Sequence, residues 1–295
     1  MTSTDDRAML ARPGVRAATG HFLLAPALLV LFFYLAALVY LLQASFYTFI
    51  RPDQLGEASL VHYIKALTDS LYLGSLLSTF RLSLVATVIA LLIGYPIAYR
   101  IVRTQSATVR AALIIAVAIP FLTNVIVRLY SLSLALGNTG LVNETLRGIG
   151  YLEGNDVIRM MRTELGVGIG LVYFVLPFVV FTLTSALRRL DRDFEEAAES
   201  LGASKTETFV LVTLPLSLPG IVGAAALSFI LCIPAFSTPL ILGEGAVRMI
   251  ANHIYDQILF VENTPFGAAL AVITLVITVV FLFAQTALTR KRYRV

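Results

Sequence analysis

The chain has 295 residues, of which 58% are hydrophobic and only 14% are charged, and its formal net charge is +4. Water-soluble domains carry about 25% charged residues, so this composition excludes an ordinary soluble enzyme or a nucleic-acid-binding domain. The single cysteine, Cys232, excludes an intrachain disulfide and a cysteine-based metal site. The three histidines, His21, His62 and His253, lack metal-ligand spacing, and no cofactor is expected.

Long stretches without any charged residue recur along the chain and make up about half of it. They are 22–50, 82–99, 111–127, 165–187, 208–243 and 263–289. A helix needs about 20 mostly apolar residues to cross the hydrocarbon core of a bilayer. The sequence therefore predicts an all-α, polytopic membrane protein. Its predicted membrane-spanning helices are 22–46, 76–100, 111–135, 166–187, 215–241 and 266–288.

Basic residues are distributed unequally between the two sides of this predicted topology. Fourteen of the 22 lysines and arginines fall on the side that holds both termini, in the shorter segments. Positive charge favours the cytoplasmic side, so both termini are expected in the cytoplasm of a protein of the inner (plasma) membrane. The expected organisation is a cytoplasmic arm at 1–21, a six-helix domain at 22–288 with a cytoplasmic loop at 188–214, and a basic tail at 289–295.

The external loops of this topology are too short to hold a folded domain. They are expected at about 47–75, 137–165 and 242–265. The first contains Leu60, Tyr63, Ile64 and Leu67 at helical spacing, which predicts a short helix lying on the membrane surface.

The largest cytoplasmic loop has an ordered pattern of helix signals. Residues 193–201 have acidic residues in the first turns of an amphipathic helix, where the helix dipole favours them. Gly202 stands where a helix-ending residue with positive φ is expected. Ser204 and Glu207 have the spacing of a capping box, and Pro215 suits the first turn of the fifth span. The loop is therefore predicted to form a helix, a glycine turn, a second helix and then the membrane span.

A spaced motif in this loop resembles the EAA loop of the permease subunits of ABC importers. It consists of Glu196-Ala197-Ala198, Gly202, Val212 and Leu214-Pro215. In that family the loop forms a coupling helix that docks into a cleft of a cytosolic ATPase. The resemblance implies that Glu196 pairs with a basic group of the ATPase, that Ala197 and Ala198 permit close approach, and that Gly202 makes the turn.

The resemblance extends over most of the chain, towards the polyamine (spermidine/putrescine) permeases of the binding-protein-dependent, MetI-like family. The segments that carry it are Gly94-Tyr95-Pro96, Ile119-Pro120-Phe121-Leu122-Thr123-Asn124, Arg128-Leu129-Tyr130, Gly140-Leu141-Val142-Asn143, Leu176-Pro177-Phe178 and Pro265-Phe266-Gly267-Ala268-Ala269. It implies a MetI-like permease core that works with a second permease subunit, identical or paralogous. It also implies two cytosolic ATP-binding subunits and a periplasmic or extracellular solute-binding protein.

Prolines interrupt the spans, most densely in the fifth, where Pro234 and Pro239 flank Ser237 and Thr238. A proline within a span frees backbone groups that only protein or a wet cavity can satisfy, so this cluster predicts an unwound stretch facing a translocation path. An ordinary kinked helix packed against its neighbours is the alternative. The candidate path residues are Tyr95, Asn124, Tyr130, Pro234, Ser237, Thr238 and Pro239.

Carboxylates that could hold a cationic substrate are scarce in the apolar stretches. The nearest are Glu164, Glu244, Asp256 and Glu262, all at the external ends of spans, where solvated loop charges are the ordinary interpretation.

The sequence leaves alternative functions open. They are an ABC importer for another small solute (an amino-acid derivative, opine, phosphonate or other ion), an ion-coupled secondary transporter, and an intramembrane enzyme. A secondary transporter would need intramembrane acidic residues, and an enzyme would need clustered catalytic groups. The sequence shows neither, so it predicts a transporter subunit without an ATPase site of its own.

Overall fold

Helices account for most of the computed structural model, which describes residues 13–51 and 54–292. In chain order the elements are α1 (Pro13–Ala44), β1 (Tyr47–Arg51), β2 (Gln54–Ala58), α2 (Val61–Thr68), α3 (Ser70–Arg103), α4 (Ala107–Leu122), α5 (Val125–Leu136), α6 (Leu141–Gly148), α7 (Glu164–Arg188), α8 (Asp193–Ser200), α9 (Lys205–Thr208), a π-helical segment (Phe209–Thr213), α10 (Leu214–Cys232), α11 (Ser237–Leu242), α12 (Ile250–Leu259) and α13 (Thr264–Arg292).

Six segments of the described chain are long and apolar enough to cross a membrane, which confirms the predicted number. They are Pro26–Ala44, Ser70–Arg103, Val125–Gly148, Glu164–Arg188, Lys205–Cys232 and Thr264–Gln285. The fourth agrees closely with the predicted span 166–187. The second extends further than predicted at both ends, because α3 is one continuous helix of 34 residues.

The prediction of one continuous third span at 111–135 was wrong. The chain forms α4 and α5 instead, with Thr123 and Asn124 between them in extended conformations. The Asn124 side chain accepts a hydrogen bond from the backbone N–H of Ile126 at 2.8 Å and so caps α5. Asparagine is a strong N-cap residue because it satisfies a free N–H of the first turn, and this local bond competes with a continuous helix.

A two-stranded antiparallel hairpin, which the sequence did not predict, follows the first span. Strands β1 and β2 pair Tyr47 with Ala58 and Phe49 with Leu55. The helix predicted after it is present as α2, where His62 and Ala66 are buried and Leu60 is exposed.

The predicted cytoplasmic arm and tail lie partly outside the described residues. Residues 1–12 and 293–295 are among those not described, whereas 13–21 belong to α1 and 289–292 to α13.

The core of the fold is the packing of α3 and α10 against α7, the span with the largest buried share among the described candidates. Ala86, Ala90, Gly94 and Ala98 recur at every fourth position and are all buried, so they form one small-residue stripe along α3. A Cβ placed on Gly94 would lie 2.8 Å from Cγ1 of Val179 on α7. Lipid is as apolar as a leucine side chain, so spans associate through such close backbone approach and not through the hydrophobic effect.

A second buried cluster joins α2, α12 and the first turns of α3 and α13. Its members are Ala66, Tyr72, Leu76, Ile250, Phe266 and Leu270. Thr79 and Ser75 on α3 hold α12 through polar contacts, because the Thr79 hydroxyl accepts from the N–H of Ile250 at 2.8 Å and the Ser75 hydroxyl lies 2.8 Å from Nε2 of His253. The end of the bundle opposite α8 is therefore fixed by α12.

Helix α1 lies at the periphery of the bundle. Within 26–44 only Ala44 is buried, and Phe32 and Phe33 are 67% and 65% exposed. A helix that is apolar on all its exposed faces is suited to contact with lipid hydrocarbon.

Candidate functional site

The predicted coupling loop folds as α8, a glycine turn and α9, at the end of α7. Asp193, Glu195 and Glu196 lie in the first turn of α8, where the helix dipole favours negative charge. Glu196 and Ala197 are exposed, and Ala198 is half-buried. The charged and small residues of the motif therefore lie on an accessible surface.

Gly202 reverses the chain direction between the two short helices. Its φ is +95°, in the left-handed region that glycine adopts without steric cost, and no atom lies within 4 Å of a Cβ built there. The backbone N–H of Gly202 donates to the carbonyl of Glu199, and that of Ala203 donates to the carbonyl of Ala198, both near 3 Å. These bonds satisfy carbonyls at the end of α8.

The capping box predicted from Ser204 and Glu207 is present. The Glu207 carboxylate accepts from the N–H of Ser204 at 2.8 Å, and the Ser204 hydroxyl accepts from the N–H of Glu207 at 3.3 Å. Helix α9 then continues without a break through the π-helical segment into α10, so the second loop helix and the fifth span are one rod.

Pro215 accounts for the π-helical turn in this rod. It lies in the first turn of α10 and has no N–H to donate to the preceding turn. The N–H of Leu214, one residue earlier, reaches back to the carbonyl of Phe209, a wider bond than an α-helix makes. Such π-turns within helices are frequent at functional sites.

Glu195, which the sequence did not single out, fastens α8 to the membrane-spanning helices. Its carboxylate pairs with Arg103 at the end of α3 at 2.5 Å and accepts from the Thr213 hydroxyl at 2.7 Å. The side chains of Arg103 and Glu195 are only 12% and 15% exposed. Arg103 also lies over the Tyr99 ring, 5.8 Å from its centroid.

The fifth span is interrupted at 233–236, which includes Pro234, whereas Ser237 and Thr238, for which the unwound stretch was predicted, form the first turn of α11. Helix α10 ends at Cys232 and α11 begins at Ser237, so four residues are outside regular helix. Asn252 of α12, a buried residue that the sequence did not single out, donates to the carbonyl of Phe236 at 3.2 Å and accepts from the N–H of Met249 at 3.1 Å. The same carbonyl accepts from the N–H of Leu240 in α11 at 3.2 Å, so Asn252 adds a second hydrogen bond that ties the break to α12.

The four path candidates at or next to this break have different surroundings. Thr238 and Pro239 are buried, and a Cβ on Gly170 of α7 would lie 2.6 Å from Cγ2 of Thr238. Ser237 is half-buried. Pro234 is exposed and lines an apolar cavity of about 410 Å³ between α10, α12 and α13.

The remaining path candidates do not form one group with these. The Tyr95 hydroxyl lies 2.9 Å from the Ser217 hydroxyl, near the α8 end of the bundle. Asn124 caps α5, and Tyr130 is 59% exposed on the same helix. Helix α5 packs against α11, so Asn124 and Tyr130 belong to an element next to the break, whereas Tyr95 does not.

Arg128 is a buried cation at the junction of α4 and α5. It is 8% exposed and donates from Nη1 to the carbonyl of Pro120 at 2.7 Å. Its guanidinium lies over the rings of Tyr173 and Phe174, at 5.6 and 5.8 Å from their centroids. The carbonyl end of α4 and two aromatic faces stabilise this charge.

Two of the four candidate carboxylates are paired with arginine. Glu164 pairs with Arg81, and Asp256 pairs with Arg248 at 2.6 Å. Glu244 and Glu262 are exposed. The paired carboxylates offer less negative potential to a cationic substrate than free ones would.

His253 lies beside one of these pairs, in α12. Burial lowers the pKa of its imidazole below the ordinary value of 6.5, the positive charge of Arg248 lowers it further, and Asp256 acts in the opposite direction. The environment therefore favours the neutral form of the imidazole.

Comparison with protein families shows which family has this combination of membrane spans and cytoplasmic loop. Residues 86–294 match the model of the binding-protein-dependent transport system inner membrane component. The chain belongs to this family. It is a multi-pass inner-membrane transport permease of the ABC-importer type.

The relatives of this permease are themselves transport permeases. The permease is 37% identical over 206 residues to the spermidine/putrescine transport system permease protein PotB of Escherichia coli (strain K12), which covers 70% of this chain and 74% of PotB. It is 27% identical to the inner membrane ABC transporter permease protein YdcU of the same organism, over 92% of this chain and 93% of YdcU.

The fold recurs in a solved importer. A chain of a bacterial alginate ABC transporter, crystallised in complex with an alginate pentasaccharide-bound periplasmic protein, superimposes with a TM-score of 0.77 at 18% identity. The superposition covers 95% of the permease and 96% of that chain, which establishes the common fold.

Proposed function

We propose that this permease forms half of the translocation path of a polyamine importer, with spermidine or putrescine as the substrate. The observation that carries the proposal is the 37% identity to PotB over 70% of the chain. The motif segments at Tyr95, Asn124 and Tyr130 support the same substrate class.

The proposed assembly contains a second permease subunit, two cytosolic ATP-binding subunits and a periplasmic solute-binding protein. The family description, which names a binding protein, supports the last of these. The exposed surface of α8, with Glu196 and Ala197, supports an ATPase partner because a short helix that fits a groove can act as a rigid lever. The chain itself supplies no ATPase site in this proposal, and α8 and both termini face the cytosol.

An importer for a different small solute is the second candidate. The pairing of Glu164 with Arg81 and of Asp256 with Arg248 favours it, because these carboxylates are already neutralised. The alginate transporter, whose cargo is an acidic polysaccharide, has the same fold at 18% identity, so the fold does not select a cationic substrate.

The ATPase contact is tested by charge reversal on α8. We expect Glu196→Arg to abolish ATP-dependent uptake in proteoliposomes that hold the full complex, and to weaken retention of the ATPase during purification. Glu199→Arg is the matched control, because Glu199 is also exposed on α8 but lies outside the motif. Uptake that survives both Glu196→Arg and ATP depletion would contradict the proposed function.

The substrate is tested on the solute-binding protein of the proposed assembly. We expect spermidine or putrescine to raise its thermal unfolding temperature and to be the solute that the reconstituted complex imports. Failure of both polyamines, together with tight binding of another solute, would favour the second candidate.

A further inference from the structure

Helix α8 has one strong attachment to the membrane-spanning helices. None of its residues is fully buried. Among the described residues, Glu195 is the member of α8 whose side chain bonds to them, through Arg103 and Thr213. Glu196, the next residue, is exposed on the outer surface.

Arg103 connects this attachment to the far end of the bundle. It is the last residue of α3, a continuous helix of 34 residues. Near its other end α3 holds α12 through Ser75 and Thr79. A displacement at Arg103 is therefore passed along one continuous helix, which contains Pro96, to the contacts that fix α12.

Thr213 connects the same carboxylate to the interrupted span. It is the last residue of the π-helical segment, and α10 begins at the next residue and ends at the break before Ser237. Glu195 thus bonds the end of α3 and the start of α10 with one carboxylate.

The surroundings make this a strong interaction. Arg103 and Glu195 are 12% and 15% exposed, and Tyr99 packs against both Arg103 and the Phe209 ring. Removing one member of such a pair leaves a poorly solvated charge, whereas an exposed ion pair is worth little.

We propose that the Arg103–Glu195–Thr213 cluster is the linkage that passes the movement of α8 to α3 and α10, with Glu195 as its positioning residue. The inference rests on the proposed docking of an ATPase on α8. Glu196 binds the ATPase, and Glu195 binds the membrane domain. Adjacent residues of a helix point about 100° apart, so one short helix holds both partners at once.

The test measures the coupling of transport to ATP hydrolysis. In the reconstituted full complex, Glu195→Gln keeps the size and acceptor of the side chain but removes its charge. We expect the ATPase to remain bound, hydrolysis to continue, and solute imported per ATP hydrolysed to fall by about tenfold. Thr213→Val should lower the same ratio by a smaller factor, and the control Glu199→Gln should leave it unchanged.

Exchange of the charges gives a readout that a merely structural role would not produce. Arg103→Glu and Glu195→Arg should each lower the import-to-hydrolysis ratio, and the double exchange should recover part of it. A ratio within about twofold of wild type for Glu195→Gln would overturn the proposal, and so would loss of the bound ATPase in that variant. A double exchange no better than either single variant would also overturn it.

Failure of the proposed function has a different signature. A wild-type complex without ATP-dependent uptake would contradict the importer assembly itself. If the wild-type complex is active and Glu196→Arg releases the ATPase while Glu195→Gln remains fully coupled, the docking proposal stands and only the linkage fails.

Discussion

The imidazole of His253 is buried between α3 and α12, 2.8 Å from the Ser75 hydroxyl and edge-on to the Tyr72 ring. Its folded pKa is below 6.5, so the folded state binds fewer protons than the unfolded state once the pH falls below that value. Stability should therefore be lost as the pH falls below the unfolded pKa of about 6.5, and the loss should level off below the folded pKa.

The measurement is the thermal unfolding midpoint of the permease in lipid nanodiscs between about pH 7.5 and pH 5.5, a window around the unfolded histidine pKa. We expect the midpoint to fall with pH and the fall to be smaller in His253→Gln. Part of the pH dependence should remain, because burial and Lys65 also lower the pKa of His62. An equal fall in wild type and variant would contradict the assignment.

Asn252 gives a second prediction for a single side chain. It is 5% exposed and pairs with the carbonyl of Phe236 and the N–H of Met249. Asn252→Leu should destabilise the fold by about 1–3 kcal/mol, because it leaves the buried N–H of Met249 unpaired, whereas the carbonyl of Phe236 keeps its bond from the N–H of Leu240. Unfolding in a mixed-detergent titration measures the change. Asn138→Leu, at an exposed position, is the control and should have little effect.

Two glycine-to-alanine substitutions in α3 should change the stability of the fold in opposite directions. A Cβ at Gly94 meets Val179 at 2.8 Å, whereas nothing lies within 4 Å of a Cβ at Gly74, and both glycines are in α3. Gly94→Ala should lower the free energy of unfolding by about 1–3 kcal/mol, because the added methyl group overpacks the contact with α7. Gly74→Ala should raise the free energy of unfolding by about 0.5–1 kcal/mol, because alanine has less backbone freedom to lose on folding than glycine. The same detergent titration measures both, and equal shifts would disprove the close contact.

The elements differ in how far the sequence could predict them. Apolar length defined the spans, and Pro234 and Pro239 predicted the break, because a missing N–H is a property of the residue itself. The junction at Asn124 was missed, since the apolar pattern runs straight through it and only the local cap at Ile126 separates α4 from α5. The β1–β2 hairpin lies in the loop expected at 47–75, and it was missed because its strands are only five residues long and show no clear alternation of apolar and polar residues.

In the coupling loop, too, local features could be predicted from the sequence and contacts between distant residues could not. Its short helices, Gly202 turn and capping box could be predicted, because each depends on residues close together in sequence. The different environments of Glu195 and Glu196 could not be predicted, because they depend on the position of Arg103 at the end of α3. Arg103 is 92 residues earlier in the chain than Glu195. Asn252 was missed for a similar reason, since its partner carbonyl, that of Phe236, lies in the break between α10 and α11.

For the molecule as a whole, the charge asymmetry predicts its orientation. The topology inferred from the sequence assigns fourteen of the 22 basic residues to the side of α8, so that side should face the cytosol. Cysteines introduced as Glu199→Cys on α8 and Glu153→Cys in the loop after α6 report the two sides, because both positions are exposed and the native Cys232 is fully buried.

A membrane-impermeant maleimide added to spheroplasts should label Glu153→Cys at once. Glu199→Cys should react only after permeabilisation, and the parent protein should not react at all. The reverse labelling pattern would contradict the orientation.

The contacts of α3 have a consequence for how the protein is made. Three hydroxyls on this helix, those of Ser75, Thr79 and Thr87, bond to groups that follow 178, 171 and 141 residues later. During synthesis α3 therefore enters the bilayer well before α10 and α12 exist. A chain that stops before those helices leaves these contacts unmade, and a quality-control protease could distinguish it from the finished permease.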